Sequence, residues 1–169
     1  MLKKVKRNSI RAREAGFAIV ASRYNARYVD AMLQAAMAEL KRAGAKNVQI
    51  VRVPGAYEIP VVVAHLARSA SELPHPSRIT HHASLSAIIC LGVILRGETS
   101  HAAHIGEAVS QALMQIQVRY AIPVIHEVLL LDNEEQARVR CLNRKHNRGA
   151  EAAQTALAMA QVMEKLYAS

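Results

Sequence analysis

Residues 85–95, LSAIICLGVIL, constrain the fold more than any other stretch of the chain. Only Ser86 and Gly92 interrupt a run of apolar side chains. A strand with one wet face alternates apolar and polar residues, and this run does not alternate. It is also far short of the roughly 20 residues needed to cross a bilayer. It therefore reads as a strand buried on both faces, which needs a covering layer above and below its sheet.

The rest of the chain supplies those layers. Residues 16–25, GFAIVASRYN, read as a short buried strand that closes in a polar turn. Residues 26–45 carry Met32, Ala36 and Leu40 at helical spacing, and Gly44 provides a stop. Residues 47–55 alternate, are β-branched and end at Pro54-Gly55, as a second strand does. Residues 58–70 read as a helix with Pro60 in its first turn, where proline is tolerated. Pro74, Pro76 and scattered Ser and His make 71–84 a loop. A long amphipathic helix follows over 100–121, then a strand over 122–131. A helix over 133–143 starts at Asn133 as N-cap with acids in its first turn, and an Ala-rich helix over 148–168 closes the chain. Strands that alternate with helices pair in parallel. The expected fold is flavodoxin-like: a three-layer α/β/α sandwich on a four-stranded parallel sheet, built from residues 16–169 as one domain.

Composition narrows the partners. The chain has 169 residues, 51% of them hydrophobic but only 4% aromatic, so the core must be aliphatic. The net charge of +9 is uneven, because Lys3, Lys4, Lys6, Arg7, Arg11 and Arg13 crowd residues 1–15. That segment is expected to be a solvated basic arm. No aromatic-interleaved RNA-binding motif accompanies it, so nucleic acid is not an expected partner. Cys90 and Cys141 form no motif, and a reducing cytoplasm suits them. No apolar run is long enough for a membrane span, and no signal-peptide core follows the basic stretch.

In an open parallel sheet, ligands bind outside the carboxyl ends of the strands. Those ends hold a ring at Tyr24, a carboxylate at Glu58, hydroxyls at Thr99 and Ser100, and an imidazole at His101. Thr99 and Ser100 stand at the start of the long helix, where free N–H groups and the helix dipole attract an anion. The same two residues can simply cap the helix, and the sequence leaves both readings open. Glu98 is a like charge beside any anion bound there. His101 and His104 lie one turn apart, but zinc sites recruit three or four ligands, and nothing places His75, His81 or His82 nearby. No metal is expected. A histidine beside an anion site suits proton transfer, since imidazole ordinarily titrates near neutrality.

Five segments carry a resemblance to a known family: SRYN (22–25), VPGAYEIP (53–60), LGVILRGETSH (91–101), NEEQARVRC (133–141) and HNRGAEAA (146–153). In order and spacing they resemble the 6,7-dimethyl-8-ribityllumazine synthases of riboflavin biosynthesis, from about Gly16 to Met163. The resemblance implies condensation of 5-amino-6-(D-ribitylamino)uracil with 3,4-dihydroxy-2-butanone 4-phosphate through a Schiff base, with loss of phosphate and water and without cofactor or metal. It implies that Tyr24 stacks on the pyrimidine with Asn25 beside it. Ala56, Tyr57 and Glu58 would line the ribityl site, and Val93, Ile94 and Leu95 would meet the pyrimidine through the strand end. Thr99, Ser100 and Arg140 would receive the phosphate, and His101 would transfer protons. Arg148 stands where the family often carries a lysine near the pyrimidine.

The resemblance further implies homopentamers whose sites lie between subunits, His126 and Arg140 coming from one chain and Tyr24, Glu58 and His101 mostly from the other. Some members assemble twelve pentamers into a sixty-subunit shell, and the uninterrupted segment 141–149 permits one. Three departures stand out. His126 replaces an aromatic that is often Phe, Ala102-Ala103-His104 replaces an aromatic and an acid after His101, and Val93 replaces a residue that is often polar. These departures keep open an alternative, a homologue with weakened turnover that holds a lumazine or flavin or builds a shell.

Overall fold

The computed structural model describes Ala12, residues 15–71 and residues 85–168. The basic arm, apart from Ala12 and Ala15, and the loop beyond Ser71 lie outside these described residues. The elements are β1 (Gly16–Ser22), α1 (Ala26–Arg42), β2 (Asn47–Val53), a 3-10 turn (Ala56–Glu58) leading into α2 (Ile59–Ser71), β3 (Leu85–Leu95), α3 (His101–Tyr120), β4 (Val124–Leu131), α4 (Glu134–Ala137) and α5 (Arg148–Ala168). The strands pair in parallel in the order β2-β1-β3-β4. This is the expected four-stranded, flavodoxin-like sheet.

Alternation along the strands builds two cores, one on each face. Phe17 and Ile19 of β1 and Ile89 and Leu91 of β3 point towards α1 and α5, where Met32, Leu40 and Leu157 meet them. Val20, Ile88 and Cys90 point the other way, onto Ile59 and Val63 of α2 and Val109 and Leu113 of α3. Burying each large side chain contributes about 1.5–3 kcal/mol. β3 is paired with β1 on one edge and β4 on the other, and Ala87 to Ile94 are all buried. That double burial is what its unbroken apolar run requires. β2, by contrast, is an edge strand and exposes Asn47, Gln49 and Ile50.

Local signals set the boundaries. Gly44, at φ 83°, closes α1, its N–H reaching the Lys41 carbonyl at 3.0 Å while the Ala45 N–H reaches Leu40 at 3.1 Å. The Asn133 side chain accepts the Gln136 N–H at 2.9 Å and so caps α4 as its sequence suggests. The helix expected over 133–143 is not uniform, however. After Ala137 it widens into a π-helical turn over Arg138–Leu142. The Asn147 side-chain amide takes the Cys141 carbonyl there, and its own oxygen accepts the Gly149 N–H at 2.9 Å, which ties this turn to the start of α5.

Where α5 crosses α1, only glycine fits. A Cβ on Gly149 would lie 2.0 Å from the Met32 carbonyl oxygen, and backbone cannot swing aside as a side chain can. Gly149→Ala is expected to destabilise the fold by about 3 kcal/mol or more, measured by urea unfolding. An unchanged midpoint would show that the helices do not approach this closely.

Candidate active site

The carboxyl ends of the four strands are stitched together by polar contacts. The Arg23 N–H reaches the Val53 carbonyl at 2.8 Å and the Tyr24 N–H reaches Pro54 at 3.0 Å, joining the ends of β1 and β2. The Asn25 amide donates to the Val93 carbonyl at 2.9 Å, joining β1 to β3. Asn25 sits at φ 57°, a left-handed conformation that asparagine tolerates better than most residues. The Arg96 N–H reaches the Leu131 carbonyl at 2.8 Å, and its guanidinium pairs with Asp132 at 3.3 Å, joining β3 to β4.

This rim carries a first group of sequence-expected residues. Tyr24 is 71% exposed and Tyr57 is exposed as well. Ala56 is buried near Gly92 of β3. Glu58 accepts the Gly55 N–H at 2.8 Å through Oε2, so one carboxylate oxygen caps the 3-10 turn. Val93 and Ile94 are buried and Leu95 is half-buried. Thr99, Ser100 and His101 are exposed at the mouth of α3. Simple capping explains little of that segment. The Ser100 hydroxyl makes no capping bond, and Thr99 accepts the His101 N–H only at a long 3.4 Å.

A second group lies elsewhere. His126 is the third residue of β4, five positions before Leu131, or about 17 Å back from the rim at ordinary strand rise. It is exposed on the α3 side, with its Nε2 2.9 Å from the Ser110 Oγ. Glu127, next along the strand, faces α5. There Arg148 donates to it from Nε at 2.7 Å and to Glu151 from Nη1 at 2.6 Å. Arg140 is half-buried in the π-helical turn and makes no hydrogen bond or ion pair among the described residues. No hydrogen bond or ion pair among the described residues links the first group to the second.

Glu127 was not anticipated from the sequence, although it is the single charged residue in the run Ile122–Leu131. Burial raises its carboxyl to about 7, against the lowering pull of Arg148 and, more weakly, Arg140. Burial also works against the charged form of Arg148, but Glu127 and Glu151 outweigh it and the net shift is upward. Burial likewise pushes both thiols up, Cys141 to about 12, so neither is a nucleophile. Among the described residues no three His, Cys, Asp or Glu side chains gather as a metal site would need. None of their helices is long and apolar enough to cross a membrane.

An open parallel sheet with a polar rim at its strand ends defines a flavodoxin-like α/β protein, a class in which small molecules bind at the carboxyl ends of the strands. The sequence model of the 6,7-dimethyl-8-ribityllumazine synthase family matches residues 14–164. A 6,7-dimethyl-8-ribityllumazine synthase of Stenotrophomonas maltophilia (strain R551-3) is 38% identical over 154 residues, covering 90% of this chain and 91% of that one. One of Xylella fastidiosa (strain M12) is 37% identical over 159 residues, covering 93% and 95%. The chain belongs to the 6,7-dimethyl-8-ribityllumazine synthase family. Its reaction is the riboflavin-pathway condensation that this membership carries, a transferase step, and the alternative of a homologue with weakened turnover is not favoured.

The raised Glu127 carboxyl has a consequence for stability. Its ordinary value is 4.5, and the folded chain holds it at about 7. The folded state therefore binds this proton more tightly than the unfolded state. The associated stability is fully present below the ordinary value and is lost as pH rises through about 7. Between about pH 5 and about pH 8 the wild-type melting temperature should fall relative to that of Glu127→Gln, whose amide does not titrate. Parallel melting curves would contradict the shift.

Proposed function

We propose that the rim binds the two substrates side by side and that each complete site draws on two copies of the chain. In this reading the phosphate of 3,4-dihydroxy-2-butanone 4-phosphate lies at the mouth of α3. The first-turn N–H groups and the Thr99 and Ser100 hydroxyls donate to it, and Arg140 of a neighbouring copy faces it. The observation that carries the reading is a pair of unmet donors. The helix mouth is open rather than capped by Ser100, and the Arg140 guanidinium is half-buried with no hydrogen bond or ion pair among the described residues. Both suit a dianion.

The pyrimidine stacks on Tyr24, whose exposed ring offers a flat apolar face. Asn25 and the Val93–Leu95 backbone meet the ring edge, with His126 and Arg148 of the neighbouring copy closing over it. Glu58 retains Oε1 for the ribityl hydroxyls, while Ala56 and Tyr57 line that side. His101, next to the phosphate, moves protons as the amine adds to the ketone and water is lost to give the Schiff base, phosphate departs, and the ring closes with loss of a second water. Fixing two small substrates in one orientation removes much of the entropic barrier to their condensation.

The neighbouring copy enters because His126 lies well back along β4 from the rim of its own chain and Arg148 is held at the level of Glu127 beside it. Met114 and Val118, four residues apart on α3, are 58% and 73% exposed and offer an apolar stripe for contact. We assign a homopentamer as the basic unit, with a sixty-subunit shell permitted, and the cytoplasm as the compartment, in keeping with two buried free thiols.

Mixing the purified protein with both substrates should produce lumazine absorbance. His101→Ala should slow the condensation by about 10²–10³-fold. Arg140→Ala should raise KM for the phosphate substrate by about 10–100-fold with a smaller effect on the pyrimidine. An Arg140→Ala enzyme with unchanged KM for the phosphate substrate would remove that assignment. Light scattering should return five or sixty times the 18.5 kDa chain mass, and a monomer that turns over would exclude a shared site.

A further inference from the structure

Two arginines serve the second group, and their surroundings differ sharply. Arg140 makes no ion pair among the described residues, whereas Arg148 makes two. Glu127 grips the Nε edge of Arg148 and Glu151 grips Nη1, at 2.7 and 2.6 Å. Nη2 has no partner among the described residues and the side chain is part-exposed, so one edge of the fork stays available.

The Glu127 side chain is only 6% exposed and is the single charged residue of β4. An ion pair buried to this degree adds little stability, because desolvating two charges offsets their attraction, and well-packed apolar residues often do as well or better. What such a pair supplies is direction. Two carboxylates hold a planar guanidinium in one orientation, where a single long side chain would otherwise sample many rotamers. They also offset its charge. A guanidinium already paired with two carboxylates is poorly suited to a phosphate dianion, but its free N–H groups still donate to a neutral carbonyl oxygen.

We propose that Glu127 and Glu151 form a carboxylate clamp that positions Arg148, Nη2 edge outward, to donate to a ring carbonyl of the pyrimidine substrate. The clamp assigns the two arginines to different substrates: the unpaired Arg140 takes the phosphate and the clamped Arg148 reads the neutral ring. It rests on the reading above that brings Arg148 to the pyrimidine. Glu127 and Glu151 are positioning residues, since they act through Arg148 and touch no substrate.

Steady-state kinetics of Glu127→Gln, Glu151→Gln, Arg148→Ala and the Glu127→Gln/Arg148→Ala double variant test the clamp, with assembled mass measured for each. Glu127→Gln should raise KM for the pyrimidine about tenfold and Glu151→Gln about threefold, leaving kcat and KM for the phosphate substrate near wild type. The double variant should be no worse than Arg148→Ala alone. If both glutamine variants bind the pyrimidine like wild type while Arg148→Ala binds it weakly, the clamp is wrong and the site reading survives. If Arg148→Ala also binds it normally, Arg148 leaves the site and the clamp falls with it. A rise in both KM values together with loss of assembled mass would mark a structural role and overturn the proposal. Should Glu127→Gln fail to assemble, Glu151→Gln, at the half-exposed partner, decides alone.

Discussion

The pairing of β3 on both edges and its burial on both faces set the terms for everything else in this chain. Along its buried stretch from Ala87 to Ile94 a strand enclosed in this way has no room for a polar side chain, so polar groups collect where it ends. The change is abrupt: Leu95 is half-buried, and Arg96 to Ser100 are all exposed. Even there the backbone is kept satisfied. Asn25 takes the Val93 carbonyl, and the Arg96 N–H goes to Leu131. These two contacts are functional scaffolding as much as stability, because they fix the ends of β1 and β4 relative to the strand that carries the rim.

The electrostatics of the rim and of the β4 edge answer different chemical needs. At the mouth of α3 the attraction for an anion comes from backbone dipoles and hydroxyls, which need no titration and no counter-ion. Glu98 is exposed in that segment and so can stay hydrated rather than oppose a bound phosphate. Along β4 the charges belong to side chains in a drier place. There burial raises Glu127 while Arg148 and Arg140 pull it back, so its ionisation lies close to neutrality. The first arrangement suits a dianion, and the second suits holding a side chain in one orientation.

The layers, the order of elements along the chain and most helix starts and stops were legible in the sequence because each rests on local patterning. Alternation or its absence distinguished β2 from β3, Gly44 marked the end of α1, and Asn133 marked the start of α4. The rim residues were legible for a related reason: in a parallel sheet, a position just after an apolar run is a strand end. The π-helical turn over Arg138–Leu142 was not, since it depends on Asn147, which competes for the Cys141 carbonyl from beyond the helix. The need for Gly149 was hidden for the same reason, because the obstacle is the Met32 backbone more than a hundred residues away. Glu127 could have been noticed as a lone charge in an apolar strand, but its partner appears only once α5 folds back onto β4.

Chain direction explains why the expected site residues divide as they do. All four strands run the same way, so the segments that follow β1, β2 and β3 gather at one rim. His126 and Glu127 lie within β4 instead of after it, and Arg148 is drawn to their level by its bond to Glu127. In the proposed shared site, a single chain would therefore offer the rim without the partner's arginines, while its own Arg148 stays at the level of Glu127. Closing that gap within one chain would require β4 to slip by about five residues against β3, which would strip Leu91↔Glu127 through Leu95↔Leu131 of their pairing. Under the proposed shared site, docking a second copy would bring the two halves together without breaking a ladder. In the shared-site reading, the mid-strand placement of His126 and Glu127 is what makes association a condition of activity.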